Sequence, residues 1–462
     1  MNQQPTVTYP TIDLFLYDLR EGLGQDEEKV NENRQHFWQK IYPNLNEKQL
    51  KELADKEKAE ADYIELLIPQ KQEQFQSNLE GYYYALQLGD AYALQLDCSL
   101  TYPIQGNPLS SFTSIKYEID SLLKDSNGEI QKGRIGQTWF VWCQLEKDYK
   151  DLDKIAEECC KQLSPNPGWV RDLQKQGELA GATLFELWHS PDNWADEQSL
   201  QESFHLIIGL FPNRTSRGLF NNRISRDSIN DSIANLYFDL FRLFCYRHKI
   251  LWAYHQSRCL KADLKKDFTK VQQTIQKVSK LSQQKSDSPN LNELQSTLTS
   301  TLTILSRYAI DLNYLDDQGR TIKVNLENYK KRLKKITDGT SNSQSELFKR
   351  FSELASQKYL VQVETDYANL SPGLVLLENL ITTIEGIIEI YQTKSDRTLN
   401  TTIAIAGIGL ATSQIASAVI LTQDTPNPQV SLAYRTQTFA WSLGIGAIAV
   451  LISLIILRLF RH

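Results

Sequence analysis

The chain has 462 residues, 41% apolar and 23% charged, and its 50 Lys and Arg against 56 Asp and Glu give a net charge of −6. This is ordinary globular chemistry, long enough for two or three domains, and the negative mean hydropathy of −0.41 excludes a chain that is membrane-embedded throughout. The acidic balance gives no global reason to seek nucleic acid, so no nucleic-acid partner is expected.

Six cysteines (Cys98, Cys143, Cys159, Cys160, Cys245, Cys259) are scattered with no CxxC spacing, which fits a reducing compartment better than a disulfide framework. Residues 1–11 lack the basic and apolar regions of a signal peptide, so the N-terminal part is expected to stay cytoplasmic.

In chain order, IDLFLYDLR (12–20) and RQHFWQKI (34–41) mix apolar and charged residues at helical or short-strand spacing. The charged, Gln-rich stretch 46–80 reads as helix broken near Pro69. Two aromatic and apolar runs in 81–100 flank Gly89-Asp90 and predict a β-hairpin. A helix is predicted over 110–124, with Ile115, Ile119 and Leu122 on one face, followed by a turn at Asn127-Gly128. Strands are predicted over 135–145, 182–188 and 204–211, with a helix over 151–163 that Pro165 and Pro167 stop. Together these define a cytoplasmic α+β domain, residues 1–227, with a largely antiparallel sheet.

The pattern then turns helical over 228–370: a segment to about 284, a second over 291–315, a turn at DDQGR, then 324–336 and 346–367. Ser371-Pro372-Gly373 reads as a helix start, since Pro is tolerated at the first helical position. From there nothing breaks the helix before residue 421, a rod of about 50 residues and roughly 75 Å. Its first part, a stalk over 371–401, carries Leu374, Leu377, Ile381, Ile384, Ile388 and Tyr391 at spacings of three and four, a coiled-coil-like seam.

Residues 402–421 and 439–457 contain no charge, and each matches the roughly 30 Å of bilayer hydrocarbon. They are read as two transmembrane helices joined by an outer loop, 422–438, and followed by a basic cytoplasmic tail, 458–462. Lys394 and Arg397 precede the first span, and Arg458, Arg461 and His462 follow the second. Both ends are therefore expected on the cytoplasmic side of the cell's inner (plasma) membrane. Gly407 and Ala411 in the first span, with Ala440 and Gly444 in the second, are candidate helix-packing residues. Thr402, Ala406, Gly409, Ser413 and Ser417 share one helix face. That stripe lines a pore in an oligomer, or else packs helices with its hydroxyls bonded to backbone carbonyls.

Arg214, Arg217, Arg223 and Arg226 crowd PNRTSRGLFNNRISRDS, directly after a predicted strand. They are candidates for an anionic ligand or an acidic protein partner; the alternative is a solvated loop with local ion pairs. Cys245, His248, Trp252, His255 and Cys259 form a helical stripe too long for one metal site and read as a buried face, although His255 and Cys259 alone have zinc-like spacing. His189, between aromatics and before Asp192, has no identifiable nucleophile to serve. Asp311, Asn313, Asp316 and Asp317 miss the EF-hand spacing. No phosphate-loop, dinucleotide, zinc-protease or nucleophile-elbow motif occurs, so no enzyme activity, cofactor or metal is expected.

This layout, a cytoplasmic α/β domain, a long helix entering the first span, a short outer loop, a second span and a basic tail, resembles the CorA-like metal-ion transporter superfamily. The family's Gly-Met-Asn filter is absent, because the only methionine is Met1 and the corresponding stretch reads ILTQDTPNPQ. The outer loop has one acid, Asp424. The resemblance therefore implies an oligomeric scaffold, not magnesium selectivity. Two functions fit: a CorA-like channel or ligand-gated pore-forming effector, and a membrane-anchored sensor or scaffold without transport.

Overall fold

The computed structural model describes residues 5–392 except 23, 59–60, 76, 78, 101–105, 214–225, 284–290 and 339–345. The chain forms two units: Met1–His255 with Arg320–Leu360, and Gln256–Gly319 with the chain from Val361 onward. A sheet-containing N-terminal domain is followed by long helices, as the residue pattern predicts.

The first unit is built on a ten-stranded sheet. Its strands are β1 (Thr6–Leu19), β2 (Ile64–Glu65), β3 (Glu73–Gln74), β4 (Glu80–Leu88), β5 (Ala91–Ser99), β6 (Asn107–Pro108), β7 (Gly136–Leu145), β8 (Leu173–Leu179), β9 (Ala182–His189) and β10 (Phe204–Phe211). The order is β2-β4-β5-β1-β7-β10-β9-β8, with β3 beside β4 and β6 beside β1. Pairing is antiparallel except between β7 and β10. The predicted hairpin is β4–β5, and Gly89, at φ 61°, supplies the left-handed residue its tight turn needs.

The central strand, β1, is where the sequence reading falls short. It is neither helical nor short: 14 residues pair with β5 on one side and β7 on the other. Ile12, Leu14 and Leu16 enter a core with Phe37, Trp38, Phe112 and Ile115. These come from α1 (Glu27–Gln39) and α3 (Ser111–Leu122), beside α2 (Glu47–Ala54), α4 (Leu152–Leu163) and the short α5 (Glu197–Glu202). Each fully buried side chain of this size contributes roughly 1.5–3 kcal/mol. The opposite face, Phe15 and Tyr17, packs on α6 (Arg226–Gln283): the Phe15 and Phe241 rings lie 4.9 Å apart, and Tyr17 Oη donates to the Phe241 carbonyl at 2.9 Å. Burial on both faces removes the polar–apolar alternation that marks an ordinary strand.

The helix predicted over 46–80 is confined to α2; Leu66 and Leu67 beyond it are buried, next to the edge strand β2. The predicted turn at DDQGR is not a turn either. α7 (Leu291–Asp338) runs through it unbroken. Leu312, Leu315, Ile322, Leu326 and Tyr329 are buried at spacings of three and four, and Gly319 falls in that seam. A glycine costs a helix only about 1 kcal/mol, less than the seam recovers by burial. α8 (Glu346–Leu354) and a π-helical stretch, Ala355–Leu360, complete the first unit.

The second unit combines the later part of α6, the earlier part of α7, α9 (Val361–Leu370) and α10 (Pro372–Gln392). Tyr308 Oη donates to the Leu370 carbonyl at 2.6 Å, and Asp366 receives Arg258 at 2.6 Å and Lys261 at 2.7 Å. α10 starts at Pro372 as expected, and Leu377, Ile381, Ile384 and Ile388 of its seam are buried. Among the described residues no helix is long and apolar enough to cross a membrane. The predicted spans, 402–421 and 439–457, lie outside the described residues, as does the stalk beyond Gln392.

Candidate functional site

A β-bulge sets up the site. The β1–β7 register shifts between Thr8 and Thr11, and Tyr9 there takes a φ of 51°, in the left-handed region. Bulges bend a strand and re-aim the side chains that follow. Beyond it Thr11, Asp13, Phe15 and Tyr17 alternate onto the face that α6 covers.

Asp13 is wholly buried there and sits opposite Asp97 of β5. Its carboxylate accepts from Gln95 Nε2 at 2.7 Å, Trp142 Nε1 at 3.1 Å and Tyr237 Oη at 2.7 Å, and it shares a hydrogen bond with the Asp97 carboxyl. Burial pushes Asp13 above its usual carboxylate range, against the pull of these four bonds. Two carboxyl groups in contact do not both ionise cheaply, so the pair gives up its second proton at higher pH than a lone carboxyl. The neighbouring phenols stay protonated: burial raises Tyr237 well above its ordinary value, and the Asp13 and Asp97 charges add to this.

Asp97 also faces a cavity of about 620 Å³ between the sheet and the start of α6, within the size range of small-molecule sites. Phe75, Tyr82, Trp142 and Tyr237 form its walls, Glu80 stands at the rim, and Asn230 faces it from α6. Among the described lining residues there are carboxylates, hydroxyls and amides but no Lys, Arg or His. The Phe75 ring packs against Gly81, where an added Cβ would overlap the ring and the Asp97 carbonyl.

Of the two acids Asp97 lines the cavity, while Asp13 is buried behind it with both its oxygens engaged. Among the described residues no three His, Cys, Asp or Glu side chains converge as metal ligands.

A second polar cluster lies deeper in the same unit. Thr138 Oγ1 is 2.8 Å from His205 Nδ1 and 2.8 Å from His248 Nε2, and His205 Nε2 is 2.9 Å from Glu186, beside Arg247. Burial, reinforced by the Arg247 charge, lowers His205 to about 4 despite Glu186, so the ring is neutral at pH 7. Neutral His205 then donates from Nε2 to Glu186 and accepts the Thr138 hydroxyl at Nδ1. Hydroxyl, imidazole and carboxylate stand in the order of a nucleophile triad. Thr138 is fully buried, so no substrate reaches it, and the cluster holds β7, β9, β10 and α6 together.

The residues singled out in the sequence fall elsewhere. Thr402, Ala406, Gly409, Ser413 and Ser417, with Gly407, Ala411, Ala440 and Gly444, lie outside the described residues. So do Arg214, Arg217 and Arg223; Arg226 is the first residue of α6. His189 stacks on Trp169 at 3.9 Å, with Nδ1 3.1 Å from Asp172, away from the carboxyl pair. In the helical stripe Cys245, His248 and His255 are buried and Trp252 and Cys259 are half-buried, and His255 Nδ1 contacts the Trp194 carbonyl at 2.9 Å. Sequence reasoning missed the carboxyl pair. Its signal was present: an acid inside each of two apolar strand runs, LFLYD preceded by Ile12-Asp13, and LQLDCSL around Asp97. No protein-family model, curated protein or solved structure matches this chain.

Proposed function

We propose that this chain is an oligomeric two-pass membrane protein whose N-terminal sheet domain binds a small ligand on the cytoplasmic side and controls a pore in the inner membrane. The cavity beside the Asp13–Asp97 pair carries the ligand-sensing part of this reading: a pre-formed pocket with polar groups converging on one end is what a receptor domain requires. The membrane part rests on the uncharged runs 402–421 and 439–457. The stripe Thr402, Ala406, Gly409, Ser413 and Ser417 lines the pore, and the basic flanks hold both ends inside. α6 begins over the cavity and is a single helix to Gln283, an element suited to carrying a response away from the site.

Reconstitution into liposomes tests this. The expected result is a detergent-solubilised mass of several chains per particle, and ion flux that depends on a ligand of the sheet domain. A strict monomer, or no flux under any ligand condition, removes the pore and leaves a membrane-anchored sensor or scaffold. Extraction of the full chain from membranes by alkaline carbonate would refute the membrane reading altogether.

A further inference from the structure

We propose that the cavity over the Asp13–Asp97 pair is a receptor for a small organic cation, an amine or guanidinium with an apolar flank. This deepens the ligand-binding half of the reading above and rests on it.

The chemistry of the walls carries the inference. Two carboxylates face the cavity, Asp97 at its inner end and Glu80 at the rim, and among the described lining residues no basic side chain opposes them. Phe75, Tyr82, Trp142 and Tyr237 surround the space. Electron-rich rings beside a carboxylate attract a cation twice, through ring quadrupole and through charge. Among the described lining residues the formal charges are all negative, which favours a cation over an anion, and a neutral polyol would use the hydroxyls and amides but not the carboxylates' charge.

The buried partner gives the site a signature. Asp13 accepts from Gln95, Trp142 and Tyr237, and of the two acids only Asp97 lines the cavity, so a bound cation meets the pair on the Asp97 side and displaces the proton that the two acids share. The titratable groups facing the pair are Tyr82 and Glu80 from β4 and Tyr237 from α6; on β5, Cys98 also feels both charges. Both phenols and the thiol are raised by burial and stay protonated across the neutral range. The carboxyl pair is therefore the group that releases the proton, which passes to the buffer as the cation binds.

The test is calorimetry on the full-length protein in detergent, with agmatine and choline as cationic probes, maltose as a neutral probe and AMP as an anionic one. At least one cation is expected to bind once per chain, with a heat that changes with the buffer's ionisation enthalpy, and with affinity rising up to tenfold per pH unit while the pair titrates. Asp97→Asn should weaken binding at least tenfold. If that variant fails to fold, Glu80→Gln on the exposed rim should weaken it several-fold. The proposal is overturned if neither cation binds folded wild-type protein, if maltose or AMP binds as well as the cations, or if binding survives both substitutions. Binding is measured without a membrane, so absence of ion flux in liposomes leaves this result standing, and absence of cation binding leaves the membrane reading standing.

Discussion

Acid should loosen the sheet unit through His205. The imidazole is 1% exposed, and burial beside Arg247 lowers it to about 4 from an ordinary 6.5. A base whose folded value is depressed contributes fully above its unfolded value. That contribution is lost progressively as pH falls from about 6.5 to about 4, because only the unfolded chain takes up the proton there. At pH 5 the gap traversed is about 1.5 pH units, and at about 1.4 kcal/mol per unit this is roughly 2 kcal/mol. Glu186 acts in the same sense at lower pH: burial pushes it up, but Arg247 and His205 outweigh this and hold it below its ordinary 4.5. Seven of the eight tryptophans precede residue 256, so fluorescence during urea unfolding reports mainly on this unit. The unfolding free energy of the full chain should fall between pH 7 and pH 5 by roughly 2 kcal/mol more in the wild type than in His205→Gln. Gln is chosen because its amide can both donate to Glu186 and accept from Thr138. If His205→Gln keeps the whole acid-induced loss, the buried neutral imidazole is not its source.

Other sites give sharper single tests. Gly81→Ala sets a methyl against the Phe75 ring and the Asp97 carbonyl, and should cost about 1–3 kcal/mol in urea unfolding while distorting the cavity wall. Asp18→Ala leaves the fully buried Lys40 ammonium without the carboxylate 3.0 Å away, and a loss of about 3–5 kcal/mol is expected; a change under 1 kcal/mol would show that Lys40 is neutral in the fold. Tyr308→Phe removes a buried hydroxyl 2.6 Å from the Leu370 carbonyl and should destabilise the helical unit by about 1–2 kcal/mol, measured by hydrogen exchange at the α9–α10 junction.

The elements that sequence alone makes legible carry a local marker: turn or cap residues at their ends, or a short unbroken apolar run, as in β7 and β10, which are buried on both faces. The β4–β5 hairpin, α3, α4 and the α10 seam each show a clean period with turn or cap residues at the ends. β1 is illegible because buried polar residues, Thr8, Thr11, Asp13 and Asp18, interrupt its apolar run, and the two acids look like surface residues. β8, LQKQGEL, is a polar edge strand with too little apolar content to register. The break expected at Asp316–Arg320 failed for the opposite reason: local turn chemistry was outweighed by the seam on either side. For the site, both acids could be seen as misplaced in apolar runs. Their meeting depends on the β1–β5 register, which pairs Asp13 with Asp97 and cannot be read from either segment separately.

The place of β1 in the sheet also bears on how the chain is made. Asp13 meets Gln95 across 82 residues and Trp142 across 129, so the strand leaves the ribosome long before either neighbour exists. At about 5–20 residues per second, its second partner follows on the order of ten seconds later. Through that interval a 14-residue segment with unpaired backbone would be a strong template for association between nascent chains. The ionised carboxylates of Asp13 and Asp18 break its apolar run and oppose such stacking. The acid that anchors the finished cavity thus first serves as a guard on the unfinished chain.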